Sequence, residues 1–155
     1  MSDAVNGKVE AALGRFAEGY SCSQAVLTAF VPGFGLEADR ALRLASAFGG
    51  GIARNGEMCG AVTGALMALG LARGKADNEE PSKAALYSLA NDFLTRFREQ
   101  HGSVQCRDLI GCSIGTPEGL QAARDRNVFK DVCPRLVGDA ARILSALLEE
   151  PPAGG

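Results

Sequence analysis

Five cysteines and a single histidine are the residues of this chain best suited to chemistry. A cysteine attacks or binds metal as the thiolate, and a free thiol titrates near about 8.5, so its surroundings decide whether it reacts. Cys22 lies in YSCSQAVL, where Ser21 and Gln24 have the spacing of a capping box that puts Cys22 in the first turn of a helix. Cys133 precedes Pro134, and because proline favours the first helical position, Cys133 is the expected N-cap of the last helix. Cys59 stands between the loop GGGIARNGEM and the apolar GAVTGALMAL, a third helix start. Cys106 opens a short turn or helix, QCRDLIG, after a break at Gly102. Helix N-termini present unpaired N–H groups and about half a positive charge, and both favour thiolate over thiol. Cys22, Cys59, Cys106 and Cys133 are therefore read as reactive or ligating thiols rather than apolar filler. Cys59 or Cys22 is expected to alkylate well below the pH that a free thiol needs.

The other candidates carry less. Cys112 sits in IGCSIGTPEG, a connector before a helix start at Thr116-Pro117, and is read as incidental. His101 ends a long helical pattern beside Gly102, where a solvent-facing role is expected. Around Cys59 the glycines fall into two groups. Gly49, Gly50, Gly51 and Gly56 precede it and allow the positive φ angles of a loop that wraps a cofactor or cluster. Gly60, Ala61, Gly64 and Ala65 follow it as a small-residue face that lets another backbone or a cofactor approach. Gly50, Gly51, Gly56, Gly60 and Gly64 are the candidate cofactor contacts.

The elements that must position these residues are helical by pattern. Val9, Ala12, Leu13 and Phe16 recur at i, i+3, i+4 and i+7, as do Ala41, Leu44, Ala45 and Phe48. Leu86, Leu89, Ala90, Phe93, Leu94 and Phe97 make a longer stripe, and Leu136 to Leu148 make another. Breakers fall between the stripes: Gly19, Pro32 to Gly35, Gly49 to Gly51, Gly74, Gly102, Gly115 with Pro117, and Pro134. No alternating strand pattern appears. The expectation is an all-α bundle of six or seven helices forming one domain over residues 1–150, with a frayed tail over 151–155.

Composition narrows the function. The net charge is −2 with the signs interspersed and no like-charge run, which speaks against a nucleic-acid partner. No basic stretch leads into an apolar segment at the N-terminus, so a cytoplasmic location is expected. The longest apolar stretch, Met58 to Ala72, is shorter than the roughly 20 residues that span a bilayer. It reads as a buried helix, and membrane insertion is not expected. An odd number of cysteines in a reducing compartment argues against a disulfide framework. GFGLEA at Gly33 to Ala38 follows Val31-Pro32 rather than a strand, and Gly74-Lys75 lacks the Ser or Thr of a phosphate loop, so no nucleotide site is read.

The boxes YSCSQAVL, CGAVTGA, CRDLIG and DVCPRLVGDAARIL, in that order, resemble a family of small proteins described as redox-active and named for its pattern, C_GCAxxG_C_C. The resemblance spans nearly the whole chain. It maps the family's cysteines onto Cys22, Cys59 (with Gly60, Ala61 and Gly64), Cys106 and Cys133, and leaves Cys112 unmatched. This chain reads Cys59-Gly60-Ala61 where the family name writes Gly-Cys-Ala. A similar four-cysteine domain occurs in split-Soret cytochromes, where the cysteines are associated with an iron–sulfur centre. No C-x-x-C-H sequence is present here, so covalent haem is not implied.

Two chemistries and one bland alternative follow. A low-pKa thiolate and a resolving cysteine would cycle between dithiol and disulfide, or all four thiolates would hold an Fe–S cluster or other metal. The third reading is a structural or adaptor helical domain. Either chemistry implies a redox partner that the sequence does not name, and leaves open the association of two chains. Either also requires cysteines far apart in sequence to meet. At least Cys59 and one other are expected within disulfide or shared-ligand distance, beside the Gly49 to Gly56 loop.

Overall fold

The computed structural model describes residues 2–151, and within them the chain is all-helical. Helix α1 (Asp3–Ala17) is capped by the Ser2 hydroxyl, which accepts from the Val5 N–H at 3.2 Å. Helix α2 (Cys22–Phe30) starts at the expected capping box: the Ser21 hydroxyl accepts from the Gln24 N–H, and the Gln24 side chain accepts from the Ser21 N–H at 3.0 Å. Helix α3 (Ala38–Ala45) runs into a 3-10 turn, Ser46–Phe48. Helices α4 (Gly60–Arg73) and α5 (Glu80–His101) follow, the latter stopped by Gly102 at φ 82°. The remainder is α6 (Cys106–Ile110), α7 (Pro117–Asp125), α8 (Val128–Asp131) and α9 (Cys133–Glu149). The only pairing of strand type among the described residues is a single antiparallel bridge, Met58 to Gln105.

The helix count exceeds the expected six or seven because α6 and α8, five and four residues long, are too short to show a periodic stripe. The start of α9 also differs. Cys133 is its first residue, and the cap is Val132, which keeps helical angles (φ −101°, ψ −55°) and also ends α8. The chain therefore bends between α8 and α9 without leaving the helical region, and Pro134, with no N–H to lose, is tolerated there. Of the expected stripe on α3, Leu44 faces solvent at 60% exposure. Beyond Pro151 the expected frayed tail lies outside the described residues.

Helix α2 is central, buried from Ala25 to Phe30 and packed by α1, α3, α4 and α9. Helix α9 buries Leu136, Val137, Ala140, Ala141, Leu144 and Leu147 against α1, α2, α4 and α5. The Met58 to Ala72 stretch is a buried helix as expected, and no helix among the described residues is long and apolar enough to cross a membrane. Small residues set the approach of α4 to α2. A Cβ on Gly64 would lie 2.6 Å from the Ser23 carbonyl oxygen, and one on Gly60 would lie 3.0 Å from the Ser23 nitrogen and 3.2 Å from Cys22 Cβ. The backbones touch there, so the starts of α2 and α4 come together.

His101 does not face solvent. Its side chain is 13% exposed, tilted against Phe97 with ring centroids 4.7 Å apart, and its Nε2 is 3.0 Å from Asp139 Oδ2 on α9. The carboxylate is at ion-pair distance, but the ring nitrogen is not aimed to form a hydrogen bond.

Candidate functional site

The glycine-rich loop adopts an unusual conformation. Five consecutive residues, Gly50, Gly51, Ile52, Ala53 and Arg54, have φ between 52° and 69°, a run of left-handed backbone. For an L-residue this costs about 1–2 kcal/mol, and a β-branched residue such as Ile52 rarely adopts it. Backbone bonds close the turn: the Arg54 N–H donates to the Gly49 carbonyl at 3.1 Å and the Glu57 N–H to the Gly51 carbonyl at 2.9 Å. Gly51 is sterically required, because a Cβ there would lie 2.6 Å from both Cys106 Cβ and the Glu57 nitrogen.

Leaving this turn, the chain pairs with the segment before α6. The Cys59 N–H donates to the Val104 carbonyl at 2.8 Å, and the Cys106 N–H donates to the Glu57 carbonyl at 2.6 Å. The Arg107 N–H and its Nε both donate to the Gly56 carbonyl at 3.1 Å. This clamp fixes Cys59 and Cys106 to one another through the main chain, although many residues separate them in sequence. Cys22 is placed separately by the capping box of α2, and Cys133 by the bend into α9.

All four helix starts open on one cavity of about 730 Å³, lined by Cys22, Cys59, Cys106 and Cys133. Cys59, Cys106 and Cys133 are buried and Cys22 is half-buried, all as free thiols. Each of the four lies close enough to the other three for a negative charge on one to oppose ionisation of another. Gly50, Gly51 and Gly60 also line the cavity. Gly56 and Gly64 do not: Gly56 packs on Arg107 and Gly64 on Ser23. Cys112, half-buried after α6, stands outside the lining.

The thiols differ in acidity. Burial pushes Cys59 up to about 11, against the pull of the Ala61 and Val62 N–H groups, with which it makes no capping hydrogen bond. Burial and the charges of Cys59, Cys133 and Cys112 push Cys106 up to about 12. A hydrogen bond with Cys133 holds Cys22 well above the ordinary thiol range, with burial adding to it. The same bond lowers Cys133 against the opposing effect of burial. The expected low-pKa thiol is thus neither Cys59 nor Cys22. Loss of water outweighs the helix ends there, and the favoured thiolate is Cys133 with Cys22 as its donor.

This arrangement has a consequence for stability. Because Cys59 holds its proton to about 11 in the fold, against an ordinary 9.0, the unfolded chain ionises first. The contribution is intact below the unfolded value and is lost as pH rises through the folded one, about 3 kcal/mol in all. Denaturant midpoints measured from about pH 8 upward should fall over this window, and Cys59→Ala should flatten the fall. An equally steep loss in the variant would assign it to other groups.

The donor set suits an iron–sulfur cluster in kind, being four sulfurs on one cavity. Among the described residues, however, no three His, Cys, Asp or Glu side chains stand close enough to hold a single metal ion. Among the four, Cys22 and Cys133 act on one another's acidity most directly. Cys59, expected within disulfide or shared-ligand distance of another of the four, lines the same cavity as Cys22, Cys106 and Cys133, beside the Gly49 to Gly51 turn.

Several lining residues went unread in the sequence: Tyr20, Arg54, and an apolar wall that includes Phe16, Ile114, Leu120 and Phe129. Arg54 had a signal, since it lies inside the glycine-rich loop. The Met58 to Gln105 bridge had none, because a single pairing leaves no alternating pattern.

A family model described as "Putative redox-active protein (C_GCAxxG_C_C)" matches residues 20–147. No curated protein and no solved structure matches the chain. The matched span begins just before Cys22 and ends within α9, so it contains all four cysteines of the cavity and every helix that delivers them. The chain belongs to the C_GCAxxG_C_C family of redox-active proteins.

Proposed function

We propose that the protein is a two-electron thiol–disulfide redox protein in which Cys133 is the attacking thiolate and Cys22 the resolving thiol. The observation that carries this reading is the arrival of Cys22 and Cys133, from the starts of α2 and α9, on one cavity. It is supported by their mutual effect on acidity, which raises Cys22 and lowers Cys133. Oxidation removes two electrons and two protons from the pair, and an incoming disulfide takes them up as two thiols. Cys59 and Cys106, buried and weakly acidic, keep the pair in a partly dry cavity. Neutral pH leaves them as thiols.

The second reading is an iron–sulfur centre held by Cys22, Cys59, Cys106 and Cys133. It is supported by the arrival of all four thiols, each at a helix start, on one cavity. Bound there, the cluster would supply one-electron transfer.

One preparation separates the two. Protein purified anaerobically is analysed for iron, sulfide and visible absorption, then reduced and treated with one equivalent of a small disulfide. The thiol reading expects a colourless protein that loses about 2 Da and yields a Cys22–Cys133 peptide. Stoichiometric iron and sulfide with visible absorption, or oxidation that links other cysteines, would overturn it.

A further inference from the structure

The cavity is larger than two thiols need. At about 730 Å³ it falls within the roughly 300–1,000 Å³ of pockets that hold small organic molecules. Its walls differ in chemistry. The lining includes Cys22, Cys133 and the Gly50-Gly51 turn, and the N–H groups of both glycines meet no backbone acceptor among the described residues. Phe16, Ile110, Ile114, Leu120, Phe129 and Leu136 give it apolar surface, and Phe16, Leu120 and Phe129 pack against the cluster that contains Cys133. The lining includes one charged residue, Arg54, and no carboxylate. Arg54 makes no ion pair among the described residues. It is carried on the left-handed turn, with its side chain leaning over Gly50.

Resting on the thiol–disulfide reading, we propose that the cavity is a substrate pocket for small disulfides with an apolar or aromatic body and an anionic group. The body lies on the Phe16, Leu120 and Phe129 wall, the anion meets Arg54, and the S–S bond faces Cys133. The Cys133 thiolate attacks one sulfur of the substrate, forming a mixed disulfide and releasing the other half as a thiolate. Cys22, on losing its proton, attacks the Cys133 sulfur, completes the Cys22–Cys133 disulfide and releases the second half. The protein is oxidised by two electrons and the substrate is reduced to two thiols.

Three probes test the pocket on reduced, anaerobic Cys112→Ser protein, which lacks the one thiol outside the cavity. They are dithiobis-nitrobenzoate (aromatic, anionic), dithiodipyridine (aromatic, uncharged) and cystamine (aliphatic, cationic). Each rate is divided by that of the same chain unfolded in urea, which removes intrinsic reactivity. The expected order is anionic aromatic, then neutral aromatic, then cationic. Arg54→Ala should lower the anionic rate about tenfold and leave the neutral one unchanged, as expected for one charge contact. Arg54→Lys should keep the preference, and Phe129→Ala should slow both aromatic probes. Equal normalised rates for the three probes, or an Arg54→Ala loss shared equally by the neutral probe, would overturn the pocket. Failure of the thiol reading looks different: no Cys22–Cys133 disulfide would form with any probe, whatever the rates.

Discussion

Gly64→Ala should destabilise the protein by about 2–3 kcal/mol, while Gly70→Ala in the same helix should stabilise it by about 0.5–1 kcal/mol. Alanine is the better helix former at both positions, so propensity alone predicts a gain from each. Packing reverses the sign at Gly64, where the new Cβ would lie 2.6 Å from the Ser23 carbonyl oxygen and 3.1 Å from its Cα. These are backbone atoms of a buried helix, and α2 and α4 must separate to admit the methyl group. Nothing lies within 4 Å of a Cβ at Gly70. For a chain of this length the thermal midpoint should fall by about 4–12 °C for Gly64→Ala and rise by a few degrees for Gly70→Ala. Equal effects of the two substitutions would mean that α2 and α4 do not meet as described.

Cys133 should be alkylated first. A thiol held at about 11 rather than 9.0 carries about a hundredfold less thiolate near neutral pH, so Cys59, and Cys106 at about 12, should lag far behind. Mass-spectrometric mapping of reduced, metal-free protein after brief iodoacetamide treatment should show Cys133 modified more than about a hundredfold faster than Cys59. Removing the donor with Cys22→Ala should raise the pH at which Cys133 reacts, and Cys22→Ser, which restores a hydroxyl donor, should recover most of the shift. A structural role for Cys22 would not distinguish alanine from serine in this way. A single common titration for all cysteines would remove the basis for assigning an attacking and a resolving thiol.

The local signals in the sequence were faithful where one segment settles its own conformation. Ser21 and Gln24 make the capping box of α2, Thr116 and Pro117 open α7, and Cys59 and Cys106 stand at helix starts. Cys133 was displaced by one position because Val132 is held in helical geometry by α8, a segment too short to read. His101 and the thiol acidities failed for a common reason. Both depend on what other segments cover them, and a helix end that attracts charge in water does so less effectively once burial has stripped the water away. The convergence of four cysteines could be named from the sequence as a requirement but not located. The clamp between Cys59 and Cys106 and the contact of α2 with α9 are long-range pairings with no local pattern.

The meeting of Cys22 with Cys133 also bears on how the protein is made. The two residues bracket a loop of about 110 residues, whose closure entropy must be overcome before the thiols meet. During synthesis Cys22 emerges first and Cys59 and Cys106 next, while Cys133 arrives only with the helix that packs against α1 and α2. Until then Cys22, Cys59 and Cys106 lack both Cys133 and the walls that α9 contributes to the cavity. The cavity is therefore completed only by the last helix to be made, and a chain stalled before α9 would carry three of its four cysteines without the fourth.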